Sequence, residues 1–282
     1  MKIKFISIYS AILVAVSACG GGGGSGAVSL PAAEAATIIG PAGSVDCGNA
    51  IDQDALGSMK FFTVHPINAK PYGCTIVSKD SGNPVESGNK SIRFEVDPGD
   101  CSSNAGFNDC TNDRSRHEIQ EAYYSSTNSS TIVFETKLFI PKQLRFRPKG
   151  DNYMTLIQLV TQDPNGYYSI MSQLNVNTNG DLMVRTHKDF TFDIRQEYPA
   201  YTNPYEKWIT IRYEIYSTTG SNGSLKVFVD GVLKVDETRI TLPNPNAWTN
   251  LRIGIYNSFM ARATEAYDRQ VIYFDSIVKS FR

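Results

Sequence analysis

The chain has 282 residues, with 27 Lys and Arg against 28 Asp and Glu and a formal net charge of −1. That balance excludes a general nucleic-acid binder, which needs a basic excess, but not a polyanion held by cations gathered in one cleft. Residues 41–282 suffice for one large domain with a substantial core, given that 41% of the chain is hydrophobic.

Taken in chain order, the N-terminus reads as a processing signal. Lys2 and Lys4 precede an apolar run from Phe5 to Val16, which ends in Val16-Ser17-Ala18-Cys19. This pattern resembles the lipobox of bacterial lipoproteins and implies cleavage before Cys19 and lipidation of that residue. The expected organisation is a signal peptide over 1–18, a lipidated cysteine with a Gly/Ala-rich tether over 19–40, and a single domain over 41–282. No other stretch is long and apolar enough to span a bilayer, so the expected localisation is export, with a lipid anchor at the outer membrane or cell surface. The membrane is then a partner through the lipid only, and a monomer is expected.

Four further cysteines, Cys47, Cys74, Cys101 and Cys110, make an even set that points to disulfides in an exported chain. Sequence proximity favours Cys47–Cys74 and Cys101–Cys110. Neither pair has CxxC spacing, which argues against zinc. No cofactor is required, and nothing in the sequence indicates a structural calcium ion.

Beyond the tether the signal is mostly β. Strands are predicted over Ser91–Val96, Thr131–Ile140, Tyr153–Thr161, Tyr168–Asn177, Asp181–Lys188, Trp208–Tyr216, Ser224–Val229, Val232–Val235, Arg252–Ser258 and Val271–Phe281. Turn clusters separate them, and Asp230-Gly231 marks a tight hairpin. A short helix near Asp52–Lys60 is the one helical signal. Many strands at near-regular spacing argue a sandwich or jelly roll.

Three segments carry the candidate chemistry. On a strand, Arg114, Arg116, Glu118 and Gln120 share one face, with Ser115, His117 and Ile119 on the other. Gln158 interrupts the apolar run Tyr153–Val160, and a buried amide needs partners. In Leu251–Ser258 the apolar residues alternate with Arg252, Gly254 and Tyr256, which presents a cation, a gap and a phenol on one face.

Together these segments resemble the β-jelly-roll polysaccharide lyases, the alginate, glucuronan and heparin-I-like group. Arg116-His117-Glu118-Ile119-Gln120 resembles the family's Arg-x-Glu-Leu-Arg strand, and Ile157-Gln158-Leu159-Val160 its Gln-Ile-His strand. Arg252-Ile253-Gly254-Ile255-Tyr256-Asn257-Ser258 resembles its Lys-Ala-Gly-Val-Tyr-Asn-Gln strand. Outside these, Ser91–Val96, Trp208, Val227–Gly231 and Tyr273–Ile277 resemble heparin-I-like lyases, so the resemblance covers roughly residues 90 to 282.

The resemblance implies an all-β jelly roll, a concanavalin-like sandwich of two antiparallel sheets with a concave cleft. It also implies β-elimination on a uronate-containing anionic polysaccharide. Elimination requires neutralisation of the carboxylate beside C5, a base for the C5 proton and an acid for the O4 leaving group. Gln158 and Arg116 carry over for the first role and Tyr256 for the acid. Arg114, Glu118, Gln120, Arg185, Arg252 and Asn257 are the expected substrate contacts.

The family histidine position is Val160, which cannot move a proton. Of the three histidines, His65 reads as a loop residue and His117 as a buried group on the far face of its strand. His187, on the same predicted face as Met183 and Arg185, is the expected replacement base. Without it, Tyr256 must serve as both base and acid. One group does both only when H5 and O4 lie on the same side of the ring, as in mannuronate and glucuronate. Arg145, Arg147 and Lys149, which alternate before Gly150, are further candidates for distal carboxylates. A non-catalytic glycan-binding jelly roll is the rival reading.

Overall fold

A computed structural model of the chain describes residues 61–122, 124–141, 154–260 and 268–282. The expected signal segment and tether, Cys19, Cys47, the expected helix and the Arg145–Lys149 cations lie outside the described residues. In chain order the strands are β1 (Phe61–Thr63), β2 (Cys74–Ser78), β3 (Lys90–Val96), β4 (Arg114–Glu121), β5 (Ser130–Phe139), β6 (Met154–Gln162) and β7 (Tyr168–Val176). They continue with β8 (Leu182–His187), β9 (Ile194–Tyr201), β10 (Trp208–Ser217), β11 (Ser224–Val229), β12 (Val232–Thr238), β13 (Trp248–Ser258) and β14 (Gln270–Phe281).

Binary pattern explains most of these elements. In β10, Ile209, Ile211, Tyr213 and Ile215 are buried while Thr210, Arg212, Glu214 and Tyr216 alternate with them at partial exposure. Asp230 and Gly231 both take positive φ, 47° and 76°, and close the β11–β12 hairpin as the dipeptide predicts.

Two seven-stranded antiparallel sheets result. The back sheet runs β12-β11-β10-β5-β14-β3-β2 and the front sheet β1-β4-β13-β6-β7-β8-β9. One hydrophobic cluster joins them, with Phe94, Phe134, Ile211 and Phe274 from the back meeting Ile119, Leu159, Leu174 and Ile253 from the front. This is the all-β jelly-roll architecture that the sequence predicts.

The front sheet departs from a simple amphipathic pattern. Every residue of β13 is buried, and so are nearly all of β4 and β6. The second face of these strands is lined by polar side chains bonded to one another, and the candidate site lies there. β13 pairs with β4 in unbroken register from Arg252–Gln120 to Ser258–Arg114. Against β6, however, it carries an extra residue between Ile253 and Tyr256. Gly254 sits in that bulge with φ 139°, and a Cβ there would collide with the His117 carbonyl oxygen.

Three strands go beyond the predicted set. β1 has three residues, too few for a periodic signal, and β2 is a short edge strand. β9 is the other front-sheet edge; it is mostly exposed, polar in its first half and contains Pro199. Between β3 and β4, Cys101 and Cys110 form the expected disulfide with Cα atoms 5.1 Å apart. Cys74 is also disulfide-bonded.

Candidate active site

The register of β13 against β4 places Tyr256 opposite Arg116, with Arg114 one step along the same face. Arg114 donates its Nε–H to the Tyr256 hydroxyl oxygen at 2.9 Å. The guanidinium of Arg116 lies over the Tyr256 ring, 4.1 Å from its centroid. The phenol therefore has one cation at its oxygen and another on its face, and both favour the phenolate form.

Arg116 is itself tightly held. Asp109 accepts from its Nε at 2.8 Å and from Nη2 at 2.7 Å, while Nη1 reaches Glu118 Oε2 at 3.4 Å. Burial works against the Arg116 charge, but Glu118, Tyr256 and Asp109 outweigh it and hold the pKa above its ordinary value. Burial likewise opposes the Asp109 charge, yet the His65 and Arg116 contacts prevail and keep that carboxyl below the usual range. His65 Nδ1 stands 2.8 Å from Asp109 Oδ2; burial lowers the His65 pKa, so at neutral pH Nδ1–H is a neutral donor to the carboxylate. Gln158 donates Nε2–H to Glu118 Oε1 at 2.5 Å, which completes a bonded row from His65 to the centre of the front sheet.

A second group of side chains lies further along β13. Arg252 is only 7% exposed, and its Nε and Nη2 donate to the side-chain oxygen Oε1 of Gln120 at 3.2 and 2.5 Å. Gln120 Nε2 donates to Gln162 Oε1 at 2.9 Å, and Asn250 donates to the same oxygen at 3.2 Å. Among the described residues no carboxylate pairs with Arg252. The Tyr168 ring lies 5.4 Å from its guanidinium carbon. Across the sheet, His187 Nε2 stands 3.0 Å from Gln173 Oε1, and Nδ1 is 3.1 Å from the Phe192 carbonyl oxygen. Burial pushes the His187 pKa down to about 4.

Residues 72–278 match the family profile described as polysaccharide lyase, which is well over half of the chain. The chain belongs to the polysaccharide lyase family. Among solved structures, an endo-β-1,4-glucuronan lyase from the fungus Trichoderma reesei is similar at 14% identity, over 80% of this chain and 93% of that one, with a TM-score of 0.57. Alginate lyase AlgAT5 of polysaccharide lyase family 7 is similar at 15% identity, over 85% of this chain and all of that one, with a TM-score of 0.52. The family 7 alginate lyase A1-II′, in a complex with product, aligns at 11% identity over 85% of this chain and all of that one, with a TM-score of 0.55. At these identities the likeness is one of fold. A comparison with curated protein sequences finds no match.

In this lyase the structure brings together Tyr256, Arg114, Arg116, Glu118 and Gln158, and it sets Gln120 and Arg252 on the same face. Three expected site residues stand elsewhere or are engaged differently. Asn257 points to the opposite side of β13, where its Nδ2 donates to Gln270 Oε1 at 2.7 Å; it directly follows Tyr256, and a strand alternates faces. Arg185 donates from Nε and Nη2 to Glu197 Oε1 at 2.8 and 2.6 Å, so its charge is already matched. His187 lies on β8, three strands from β13, roughly 14 Å across the sheet at ordinary strand spacing. That separation keeps it from sharing a proton with Tyr256. Val160, on the same strand face as Gln158, is fully buried.

Sequence reading missed two members of the site. His65 is buried, not a plain loop residue, and Asp109 is the main partner of Arg116. The available signal was the position of Asp109 directly before Cys110, because a short disulfide loop entering β4 pins its last residues beside that strand.

Proposed function

We propose that this lyase cleaves mannuronate or glucuronate links by syn β-elimination, with Tyr256 handling both proton transfers. The observation that carries the reading is the pair of guanidinium groups at Tyr256, one bonded to its oxygen and one over its ring. The Tyr256 phenolate takes the C5 proton, and the C–H electron pair forms the C4–C5 double bond as the C4–O4 bond breaks. The phenol then returns the proton to O4. Arg114, beside the phenol and bound otherwise to backbone carbonyls of Asn112 and Asp113, is the better cation for the carboxylate at C5. Gln158, whose amide carries a second hydrogen, assists it. Arg116, occupied by Asp109 and Glu118, acts on the phenol instead.

The placement of the histidines supports a single-residue relay. His65 lies behind Asp109, His117 faces Asp100 and Tyr72 on the other side of β4, and His187 is three strands away. Lipidation of Cys19 would hold the enzyme at a membrane surface beside its polymer.

The test is ultraviolet absorbance of the unsaturated uronate product on polymannuronate, polyguluronate, glucuronan, hyaluronan and heparin. Activity is expected on mannuronate or glucuronate polymers and lost in Tyr256→Phe. Strong activity confined to polyguluronate, or a full rate in Tyr256→Phe, overturns the reading. Binding without any absorbance change favours the glycan-binding alternative.

A further inference from the structure

We propose that His65 is a positioning residue for elimination, acting through Asp109 to set the Arg116 guanidinium over the Tyr256 ring. The proposal rests on the lyase reading above, in which that phenol moves the protons.

The carboxylate between His65 and Arg116 is the first observation. Asp109 is fully buried, and Arg116 alone occupies its Oδ1, from Nη2 at 2.7 Å and Nε at 3.0 Å. Oδ2 is shared by Arg116 Nε and His65 Nδ1, each at 2.8 Å, with Ser102 Oγ at 3.3 Å. A carboxylate bonded only to a guanidinium can swing with it. The His65 bond to Oδ2 fixes the rotation of the Asp109 carboxylate, and with it the plane of the guanidinium that chelates it. Because His65 donates as a neutral ring, it adds a bond without taking the Asp109 charge away from Arg116.

The mounting of His65 is the second observation. The segment after β1 is bonded on two sides. Val64 N–H donates to the Glu118 carbonyl of β4 at 3.0 Å, while Ile67 and Ser103 exchange backbone bonds at 2.9 and 2.8 Å. The loop that carries Ser103 and Asp109 is closed by the Cys101–Cys110 disulfide. Within it Asp109 N–H donates to the Ser102 carbonyl at 2.9 Å, and the Asp109 carbonyl accepts from Arg114 N–H at 3.1 Å. The Phe107 ring lies 5.9 Å from the imidazole and 5.6 Å from the Arg116 guanidinium carbon. Imidazole, carboxylate and guanidinium are thus in place before substrate arrives.

The consequence falls on Tyr256. Its ring is 4.1 Å below the Arg116 guanidinium, a stack that depends on both separation and tilt. A small displacement of the cation, transmitted from His65, weakens its support of the phenolate.

The experiment compares wild type, His65→Leu and His65→Asn. Asparagine places an amide N–H near the position of Nδ1–H, whereas leucine fills space and donates nothing. His65→Leu should lower kcat ~5–20-fold on the preferred uronate polymer with KM within about twofold, and His65→Asn should recover most of that loss. The ionisation of Tyr256 is read without turnover, by NMR of tyrosine isotopically labelled at Cζ, its signal identified by its absence from Tyr256→Phe. The midpoint should rise by about half a pH unit or more in His65→Leu and return towards wild type in His65→Asn. Should His65→Leu not fold, His65→Gln takes its place; its amide reaches the Nε2 position instead and should show the same deficit. A wild-type kcat or an unmoved Tyr256 midpoint in the variant lacking the donor overturns the assignment, as do equal deficits in His65→Asn. If wild type eliminates none of the uronate polymers, the lyase reading fails by itself, and the Tyr256 titration still decides the positioning role.

Discussion

The guanidinium of Arg116 lies over the Tyr256 ring while Asp109 grips its other edge through two nitrogens, at 2.7 and 2.8 Å. A lysine at this position could neither chelate both carboxylate oxygens nor stack on the ring. Arg116→Lys should therefore lower kcat ~10–100-fold with a smaller change in KM, because the lost interaction acts on the phenolate rather than on bound substrate. The limb of the pH–rate profile that reports the phenol should move to higher pH, since a favourable cation has been withdrawn. Asp109→Asn should shift the same limb less. A profile that keeps its limbs in Arg116→Lys would show that the stack has no part in ionising Tyr256.

How much of this site was legible in the sequence depended on whether contacts were local. Alternation placed Arg114, Arg116, Glu118 and Gln120 on one face of β4, and Arg252 and Tyr256 on one face of β13. Both follow from the two-residue period of a strand. The same period should have removed Asn257. Pairing between strands distant in sequence was not legible, so the distance of His187 from Tyr256 did not emerge, while the Asp109 clamp on Arg116, only seven residues away, lies in a loop without a period and showed only through the neighbouring Cys110. The bulge at Gly254 could be read as a gap but not as the approach of the β4 backbone, which is a tertiary contact.

That approach gives a second prediction. Gly254 has φ 139°, and an added Cβ would meet the His117 carbonyl and the Glu118 Cα. Gly254→Ala should destabilise the fold by about 3 kcal/mol or more, as backbone strain and a forced separation of β4 from β13 combine. Activity should fall further than stability explains, because the moved strands carry Arg116 and Tyr256. Chemical denaturation and kcat on the folded fraction check both, and a variant with wild-type stability would contradict the close approach.

His187 supplies a pH dependence. Burial lowers its pKa to about 4 in the fold, against 6.5 for the ordinary side chain. Between those values the unfolded chain binds a proton that the folded chain refuses, so stability falls as pH drops from 6.5 towards 4. The loss is about 3 kcal/mol over the full window. His187→Gln keeps hydrogen-bonding capacity and removes the titration. Between pH 7.5 and pH 4.5 wild type should lose about 2 kcal/mol more than the variant in urea unfolding. Parallel pH profiles would mean that His187 is not held neutral by burial.

Lys279 and Glu121 join the two sheets across the core edge. Lys279 on β14 donates to Glu121 Oε1 at 2.7 Å, and Glu121 Oε2 accepts from the Leu251 backbone N–H at 3.4 Å. Burial raises the Glu121 pKa and lowers that of Lys279, with each partner opposing the shift of the other. Lys279→Met leaves an unmatched carboxylate among buried residues and should cost about 3–5 kcal/mol at pH 7. Part of that loss should return at pH 5. The orphaned Glu121, its pKa raised further, then takes up a proton in the fold that the unfolded chain holds less tightly. The double variant Lys279→Met with Glu121→Gln should recover most of the stability at pH 7, because the pair is replaced rather than broken. A double-mutant cycle in urea unfolding measures the coupling, and additive losses would show that the two groups do not act as a pair.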